Sequence, residues 1–317
     1  MTSHQNSYSK QSEEFFCAYY NLYLVYFIFW RLLMFEIKKK EQLAPIIYQM
    51  EVSAPRVAKK ALPGQFIIIR IDEYGERIPL TIKDSDPEKG TITIVFQVVG
   101  KTTTQLSTLN VGDSILDLVG PLGNPTELPE GKSNVICVGG GVGTACMYPQ
   151  VKELSKRGSY VTAIIGARTK ELVLLEEDFR KYASRLIICT DDGSYGEKGF
   201  VSDVLRRLLD AGERPDLVIA IGPLMMMKVL ADVTREYGVK TMISLNPIMV
   251  DGTGMCGGCR VTVGGEVKFT CVDGPEFDAH KVDFNELMMR QRYYLDEEKV
   301  SKEKHACKLQ LGGNQNA

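Results

Sequence analysis

The chain has 317 residues, enough for two or three domains of ordinary size. With 44% hydrophobic and 25% charged residues it reads as globular, and a formal net charge of −2 gives no basic surface for nucleic acid. Its eight cysteines exclude a disulfide scaffold, which belongs to short secreted chains. Cys17, Cys137, Cys146, Cys189 and Cys307 are scattered, but Cys256, Cys259 and Cys271 crowd one Gly-rich stretch. That crowding reads as metal ligation in a reducing, cytoplasmic compartment.

Residues 1–33 stand apart from the rest. From Phe15 to Leu33 nearly every side chain is apolar, about the length that spans a bilayer as a helix. Arg31 and the run Lys38-Lys39-Lys40 would keep the bulk of the protein in the cytoplasm. No small-residue cleavage site follows, so a signal peptide is a poor reading. Met34 stands where a compact domain would begin. Three readings stay open: an upstream segment foreign to the working protein, a membrane anchor, or a core helix.

Residues 34–130 predict a small β-barrel. Strands are expected at 46–52, 65–71, 77–83, 91–99 and 114–120, separated by turn residues, with one short helix near 104–109. Two motifs sit on it. Arg77-Ile78-Pro79-Leu80-Thr81 sets a cation and a hydroxyl on one strand, which suits a flat, polar-edged ring and its phosphate. Gly100-Lys101-Thr102-Thr103-Thr104 opens a helix with a glycine and hydroxyls, which suits an anion. Each motif alone also fits a plain exposed strand or an N-capped helix. Taken in order with Gly120-Pro121-Leu122-Gly123, they resemble the FAD domain of the ferredoxin–NADP+ reductase superfamily. The resemblance implies that Arg77, Pro79, Leu80 and Thr81 hold the isoalloxazine and ribityl part, and Gly100, Thr102 and Thr103 the pyrophosphate. It implies that Phe96, Gln97 and Val98 line the adenine-side strand. The aromatic that plant-type members place after the arginine is missing here.

From 131 to 245 the pattern changes to alternating strand and helix, which predicts a doubly wound α/β domain. The apolar run 134–138 leads into Gly139-Gly140-Gly141-Val142-Gly143-Thr144-Ala145, a glycine loop that opens a helix and suits a pyrophosphate. It is not a clean dinucleotide fingerprint, because the third glycine is absent and the next strand ends in Gly166-Ala167-Arg168 without an acidic residue. In context it resembles the nicotinamide domain of the same superfamily. That implies cofactor contacts from Gly140, Gly141, Val142, Gly143, Thr144, Arg168 and Asp191, and from Gly222, Pro223 and Met225. Arg168 could meet a 2′-phosphate or only a ribose hydroxyl, so NAD(H) and NADP(H) both stay open. Cys137, Cys146 and Cys189 read as small core residues.

Residues 246–285 carry the most specific signal. Asp251 precedes Cys256 by five positions, Cys259 follows after two residues, and Cys271 arrives after eleven more. The Gly264-Gly265 turn between them predicts a hairpin over 260–270. Iron–sulfur clusters usually take four thiolates, so with three local cysteines Asp251 becomes the candidate fourth ligand of a [2Fe-2S] cluster. Zinc is the rival, and a three-cysteine, one-aspartate set would be an odd structural zinc site. Asp251 could instead only shape the loop through an Asx turn. This spacing resembles the small subunit of NADH-dependent reduced ferredoxin:NADP+ oxidoreductases, also called the sulfide dehydrogenase β-type subunit. The dihydroorotate dehydrogenase electron-transfer subunits are close relatives with four cysteines there. Residues 286–317 predict a C-terminal helix and polar tail.

The resemblance implies a chain with a β-barrel FAD domain, an α/β NAD(P) domain and a small [2Fe-2S] subdomain. It would pass electrons between NAD(P)H, FAD and the cluster to a larger flavin and [4Fe-4S] subunit of the glutamate synthase type, with ferredoxin as a further partner. Two rivals stand beside it: the electron-transfer subunit of dihydroorotate dehydrogenase, and a non-enzymatic, zinc-stabilised nucleotide-binding subunit.

Overall fold

The computed structural model describes residues 34–313, with side chains to residue 304; the extension at 1–33 and its apolar segment lie outside the described residues. Among the described residues no helix is long and apolar enough to cross a membrane.

The first layer is antiparallel. It runs through β1 (Phe35–Ala44), β2 (Ile47–Ser53), β3 (Phe66–Arg70), β4 (Ile78–Asp86), β5 (Thr91–Gln97), β6 (Ser114–Ile115) and β7 (Asp117–Leu122), in the spatial order β6-β1-β2-β5-β4-β3-β7. Only Leu116 separates β6 from β7, so one extended segment pairs with both outer strands, β1 and β3, and the sheet curls into a barrel. The short helices α1 (Pro55–Ala58) and α2 (Lys101–Thr108) fill connections. The sequence reading missed β1, and the reason is physical. Its string FEIKKKEQLA turns only Ile37 and Ala44 fully inward, so it lacks the alternation that marks a half-buried strand.

The second layer is doubly wound. It comprises β8 (Asn134–Gly140), α3 (Gly143–Lys156), β9 (Tyr160–Ala167), α4 (Glu176–Tyr182), β10 (Arg185–Thr190), β11 (Glu197–Lys198), α5 (Val201–Asp210), β12 (Leu217–Ile221), α6 (Leu224–Glu236) and β13 (Thr241–Ser244). The order β11-β10-β9-β8-β12-β13 reverses direction between β8 and β12, which is the switch point where open parallel sheets bind ligands. Helices α3 and α4 cover one face, and α5 and α6 the other.

The chain then forms the hairpin β14 (Arg260–Val263) and β15 (Glu266–Phe269), a turn of helix α7 (Thr270–Asp273), strand β16 (Glu276–Asp278) and helices α8 (Phe284–Arg290) and α9 (Leu295–Gly313). Gly264 and Gly265 both have positive φ, as a two-residue hairpin turn requires. This part has no core of its own on that side. Strand β16 extends the parallel sheet antiparallel to β13, and Val261, Phe277, Phe284 and Leu287 join the apolar core under α5 and α6.

Barrel and nucleotide layer are fastened together. Ala44, Ile47 and Val95 pack on Ala145 and Leu174. Beside them the Lys83 ammonium bonds Asp178 at 3.0 Å, Lys152 bonds Asp84 at 2.7 Å, and both lysines lie against the Tyr148 ring.

Candidate active site and cluster-binding loop

The cleft between barrel and nucleotide layer encloses about 900 Å³. Into it converge Thr81 and Gln97 from the barrel, and Gly140, Gly141, Val142, Gly143, Arg168, Asp191, Gly222, Pro223 and Met225 from the nucleotide layer. The convergence follows from topology, since the β8 loop and the β12 loop leave neighbouring strands at the switch point. Their approach is tight enough to demand glycine. A Cβ on Gly143 would sit 2.4 Å from the Ile221 carbonyl oxygen, and a Cβ on Gly140 would sit 2.4 Å from Met226 Sδ. The Gly141, Thr144 and Ala145 N–H groups bond the carbonyls of Gly166, Gly141 and Val142, which leaves those of Val142 and Gly143 for a ligand at the start of α3.

The structure sorts the remaining expected contacts. Pro79 and Leu80 lie half-buried on β4, paired with Ile68 and Ile67 of β3. Arg77 is exposed just before β4. Val98 is half-buried and donates its N–H to the Ile46 carbonyl at 2.8 Å. Two of the expected residues lie away from this cleft. Phe96 is buried with Ile92 and Ile94 and stacks on Tyr48 at 5.9 Å; alternation along β5 turns it away from the cleft that Gln97 faces. Thr144 is fully buried behind the glycine loop, with no partner for its hydroxyl among the described residues, rather than at the cleft wall.

At the head of α2, Thr103 Oγ1 accepts from the N–H groups of Val99 and Gly100, both at 3.0 Å, so this hydroxyl caps the turn. Thr102 donates its hydroxyl to the Glu76 carboxylate at 2.8 Å, and Lys101 Nζ lies 3.7 Å from the same group. The Glu76 carboxylate thus bonds side chains at this helix start and takes none of its backbone N–H groups among the described residues. The space beside Gly100 is open to 4 Å, and the first N–H groups of a helix have no intrahelical acceptor, so the residues fit a phosphate there.

One cysteine departs from the sequence reading. Cys137 and Cys189 are buried in the sheet core, but Cys146 on α3 is half-buried and lines the cleft beside Thr81. Burial pushes its thiol above the usual range. Met226, Phe200 and Asn246 also line the cleft and were not expected. Phe200 follows Gly199 and Asn246 lies just past the end of β13, whereas Met226 sits in the first turn of α6.

The cysteine-rich loop packs against the barrel. Cys259 and Cys271 are 2% exposed and share an apolar cluster with Phe66, Ile68 and Met249. A Cβ on Gly252 would sit 2.7 Å from Ile68, so the loop is pressed directly onto β3. The Cys271 N–H donates to Cys259 Sγ at 3.4 Å, and burial, followed by the adjoining Cys259 thiol, pushes Cys271 up to about 12. Cys256 is exposed and held below the usual thiol range by the N–H groups of Gly258, Asp251 and Val250. Cys259 and Cys271 thus adjoin each other, and Cys256 lies near both Asp251 and Cys271. Among the described residues no three His, Cys, Asp or Glu side chains are arranged to hold one metal ion. Three thiols and one carboxylate on a single loop suit a [2Fe-2S] cluster better than a structural zinc, for which such a set is unusual. His280 is no rival ligand, because its Nε2 lies 3.0 Å from the Thr234 hydroxyl on α6.

Asp251 forms the Asx turn: its Oδ2 accepts from the Thr253 N–H at 2.9 Å and from the Thr253 hydroxyl. Both bonds fall on Oδ2, and neither uses Oδ1. The Thr253 hydroxyl first, then backbone N–H groups and the Arg77 charge, hold this carboxyl below its usual range. An ionised carboxylate is the form that ligates iron.

Comparison with known proteins agrees with this geometry. Residues 246–283 match the iron–sulfur cluster binding domain of dihydroorotate dehydrogenase B. A Thermotoga maritima protein named as a homolog of the dihydroorotate dehydrogenase B (NAD(+)) electron transfer subunit is 49% identical over 269 residues, covering 85% of this chain and 94% of its own length. A chain of the solved NADH-dependent reduced ferredoxin-NADP oxidoreductase, described for flavin-based electron bifurcation, is 48% identical with a TM-score of 0.81, covering 86% of this chain and 97% of its own. The ferredoxin reductase of carbazole 1,9a-dioxygenase shares the fold, at 19% identity and a TM-score of 0.56 over 65% of this chain and 66% of its own. A barrel, a switch-point cleft and a cysteine loop on one chain, with full-length relatives at this identity, have one reading: the chain belongs to the family of dihydroorotate dehydrogenase B electron-transfer subunits and their homologues, electron-transfer oxidoreductases with the ferredoxin reductase fold.

Proposed function

We propose that this chain oxidises a reduced nicotinamide and delivers single electrons to a larger flavin and [4Fe-4S] subunit, in a complex of the NADH-dependent reduced ferredoxin:NADP+ oxidoreductase type. The observation that carries the reading is one strand pair. Thr81 on β4 faces the nucleotide cleft and is the register partner of Phe66 on β3, and Phe66 packs in the cluster that holds Cys259 and Cys271. One pair of adjacent strands thus connects the expected flavin motif, the nicotinamide cleft and the cysteine loop.

When bound, FAD accepts a hydride and releases its electrons singly, and a [2Fe-2S] cluster carries them one at a time. The chain's residues supply the positions. Arg77, Pro79, Leu80 and Thr81 hold the flavin, with Gln97 and Val98 beside its adenine side; Gly100, Thr102 and Thr103 shape the pyrophosphate site. Val142 and Gly143 present backbone N–H groups to the nicotinamide pyrophosphate, Gly140, Gly141 and Thr144 shape the turn that places them, and Gly222, Pro223 and Met225 border the nicotinamide ribose. Arg168 and Asp191 stand at the far ribose. Asp251, Cys256, Cys259 and Cys271 are the cluster ligands. In this reading residues 34–130 are the FAD domain, 131–245 the NAD(P) domain, 246–285 the cluster subdomain and 286–317 the terminal helix and tail.

A carboxylate in place of the first thiolate favours this complex over a dihydroorotate dehydrogenase, whose subunits carry four cysteines there. Anaerobic NADH added to the purified chain is expected to bleach flavin absorption and give the electron paramagnetic resonance signal of a reduced [2Fe-2S] centre. A colourless preparation without iron would overturn the proposal. Mass spectrometry of the co-purifying subunit separates the two complexes: a glutamate synthase-like flavoprotein supports the first, a dihydroorotate dehydrogenase the second.

A further inference from the structure

The segment that leaves the cysteine loop returns to the fold through a buried carboxyl group. Cys271 is followed by Val272 to Pro275, zipped to the barrel exit by Asn124 Nδ2 on the Val272 carbonyl at 3.1 Å and the Asn124 N–H on the Gly274 carbonyl at 2.6 Å. Glu276 comes next, at the head of β16. Its Oε1 accepts from Thr126 Oγ1 on the barrel side and from Gln150 Nε2 on α3, both at 2.9 Å. The Gln150 amide also reaches Thr126 Oγ1 at 3.2 Å. Three parts of the molecule therefore meet on one carboxyl oxygen: barrel, nucleotide layer and the return from the cysteine loop.

Two acceptors in this junction are left over. Glu276 Oε2 and Gln150 Oε1 are both buried with no hydrogen-bond partner among the described residues, and Gln150 is fully buried. Two orphaned acceptors in one buried junction are costly, and no amide flip cures both, because the pair holds more acceptors than donors. One proton cures it. A neutral carboxylic acid has an O–H, and with Gln150 Nε2 already on Oε1 a proton on Oε2 can close a carboxyl–carboxamide ring. Among the described residues no cation compensates the ionised form: the charged group facing it from the barrel is Glu127, of the same sign, and the titratable group from β8 is the Cys137 thiol.

We propose that Glu276 is a positioning residue that works as a neutral carboxylic acid, bolting the cysteine-loop return to the barrel and to α3. The inference rests on the electron-transfer reading for its consequence, but not for the protonation itself. Burial, against the smaller opposing pull of the Thr126 and Gln150 bonds, pushes the Glu276 carboxyl up to about 7. The sign follows. The native state holds this proton more tightly than the unfolded chain, so the protonated junction's contribution is complete at acid pH. It is lost as pH rises from the ordinary value of 4.5 to about 7 and is constant above that. The locked fraction itself falls through about 7.

Glu276→Gln tests this, because an amide keeps the Oε1 acceptor and puts a permanent donor where the proton sat. Wild type at acid pH is expected to show the infrared carbonyl band of a buried neutral carboxylic acid, absent in E276Q. The wild-type melting temperature, referred to E276Q, is expected to fall between pH 4.5 and about 7 and then level. NADH-dependent flavin reduction by the purified holoprotein is expected to drop up to about tenfold per pH unit above neutral in wild type, and E276Q is expected to keep its acid-side rate. Should E276Q not fold, Thr126→Val removes a bond that favours the charged form and is expected to move the wild-type midpoint to higher pH. An unchanged carbonyl band in E276Q, or identical pH profiles in the two proteins, overturns the proposal. Failure of the electron-transfer reading has a different signature: no bleaching by NADH in wild type at any pH, with the infrared and melting results intact.

Discussion

Lys83 on the barrel strand β4 bonds Asp178 on α4 at 3.0 Å, and its side chain is only 8% exposed. The same ammonium donates to Gln49 at 2.9 Å and lies 4.8 Å from the centre of the Tyr148 ring. A buried lysine is tolerated only when each of its donors is used, and here the users come from one other strand of the barrel and two helices of the other layer. The pair thus ties the barrel to α4 of the nucleotide layer. Lys83→Met is expected to destabilise the protein by about 1–3 kcal/mol, at the lower end because Asp178 keeps some solvent. It should also raise the KM for the nicotinamide. In K83M/D178N the loss should be smaller than the sum of the single losses, read by thermal unfolding of the three variants.

The cysteine loop predicts a split among the thiols. Cys256→Ser, Cys259→Ser and Cys271→Ser are each expected to lose iron and the cluster's visible bands, whereas Cys189→Ser, in the sheet core, should keep both. Iron content per flavin distinguishes them. Asp251→Cys tests the fourth ligand: a carboxylate-to-thiolate exchange should change the paramagnetic resonance and visible spectra. Spectra that match wild type would mean that Asp251 only shapes the loop through Thr253.

Gly143→Ala places a methyl group 2.4 Å from the Ile221 carbonyl oxygen, against backbone that has no rotamer to yield. The expected cost is about 1–3 kcal/mol, borne where the two loops of the switch point meet. Nicotinamide-driven flavin reduction should weaken by at least about tenfold, which corresponds to about 1.4 kcal/mol. The bound flavin, held by the barrel, should stay stoichiometric. Loss of flavin together with activity would place the damage elsewhere.

Arg168 and Asp191 line the same end of the cleft, and the backbone ties their segments together, with the Asp191 N–H on the Ala167 carbonyl at 3.0 Å. A carboxylate there opposes a 2′-phosphate that Arg168 alone would attract. Asp191→Asn is therefore expected to improve NADPH relative to NADH by about tenfold in kcat/KM, or about 1.4 kcal/mol. An unchanged ratio would take Asp191 out of the selectivity.

Much of this architecture was legible in the chain. The helix 176–182 and the hairpin 260–270 lie where pattern and turn residues put them, because their hydrophobic periods and glycines are local facts. Other features were not. β1 hides in a lysine-rich string because only two of its side chains point fully inward. β16 is three residues long and becomes a strand only because β13 offers it an edge. Phe96 was placed at the cofactor by its neighbours in sequence, but β alternation turns it to the barrel interior. Cys146 looked like core because it sits in an apolar helix, and only the packing of α3 against β4 shows that it faces Thr81.

The sequence by itself determined which chemistry the chain can carry. Thiol spacing, a glycine loop after an apolar strand, and hydroxyls after a glycine are short-range patterns, and short-range geometry decides what a loop can hold. Only the tertiary structure decided how these sites are joined. Phe66 and Thr81, fifteen positions apart, become register partners that link cluster loop and cleft. Thr126, Gln150 and Glu276, spread over 150 positions, converge on one buried carboxyl. No local pattern encodes such meetings, because strand register and helix docking are set by the burial of the whole core, and the need for a proton arises only once the water is gone.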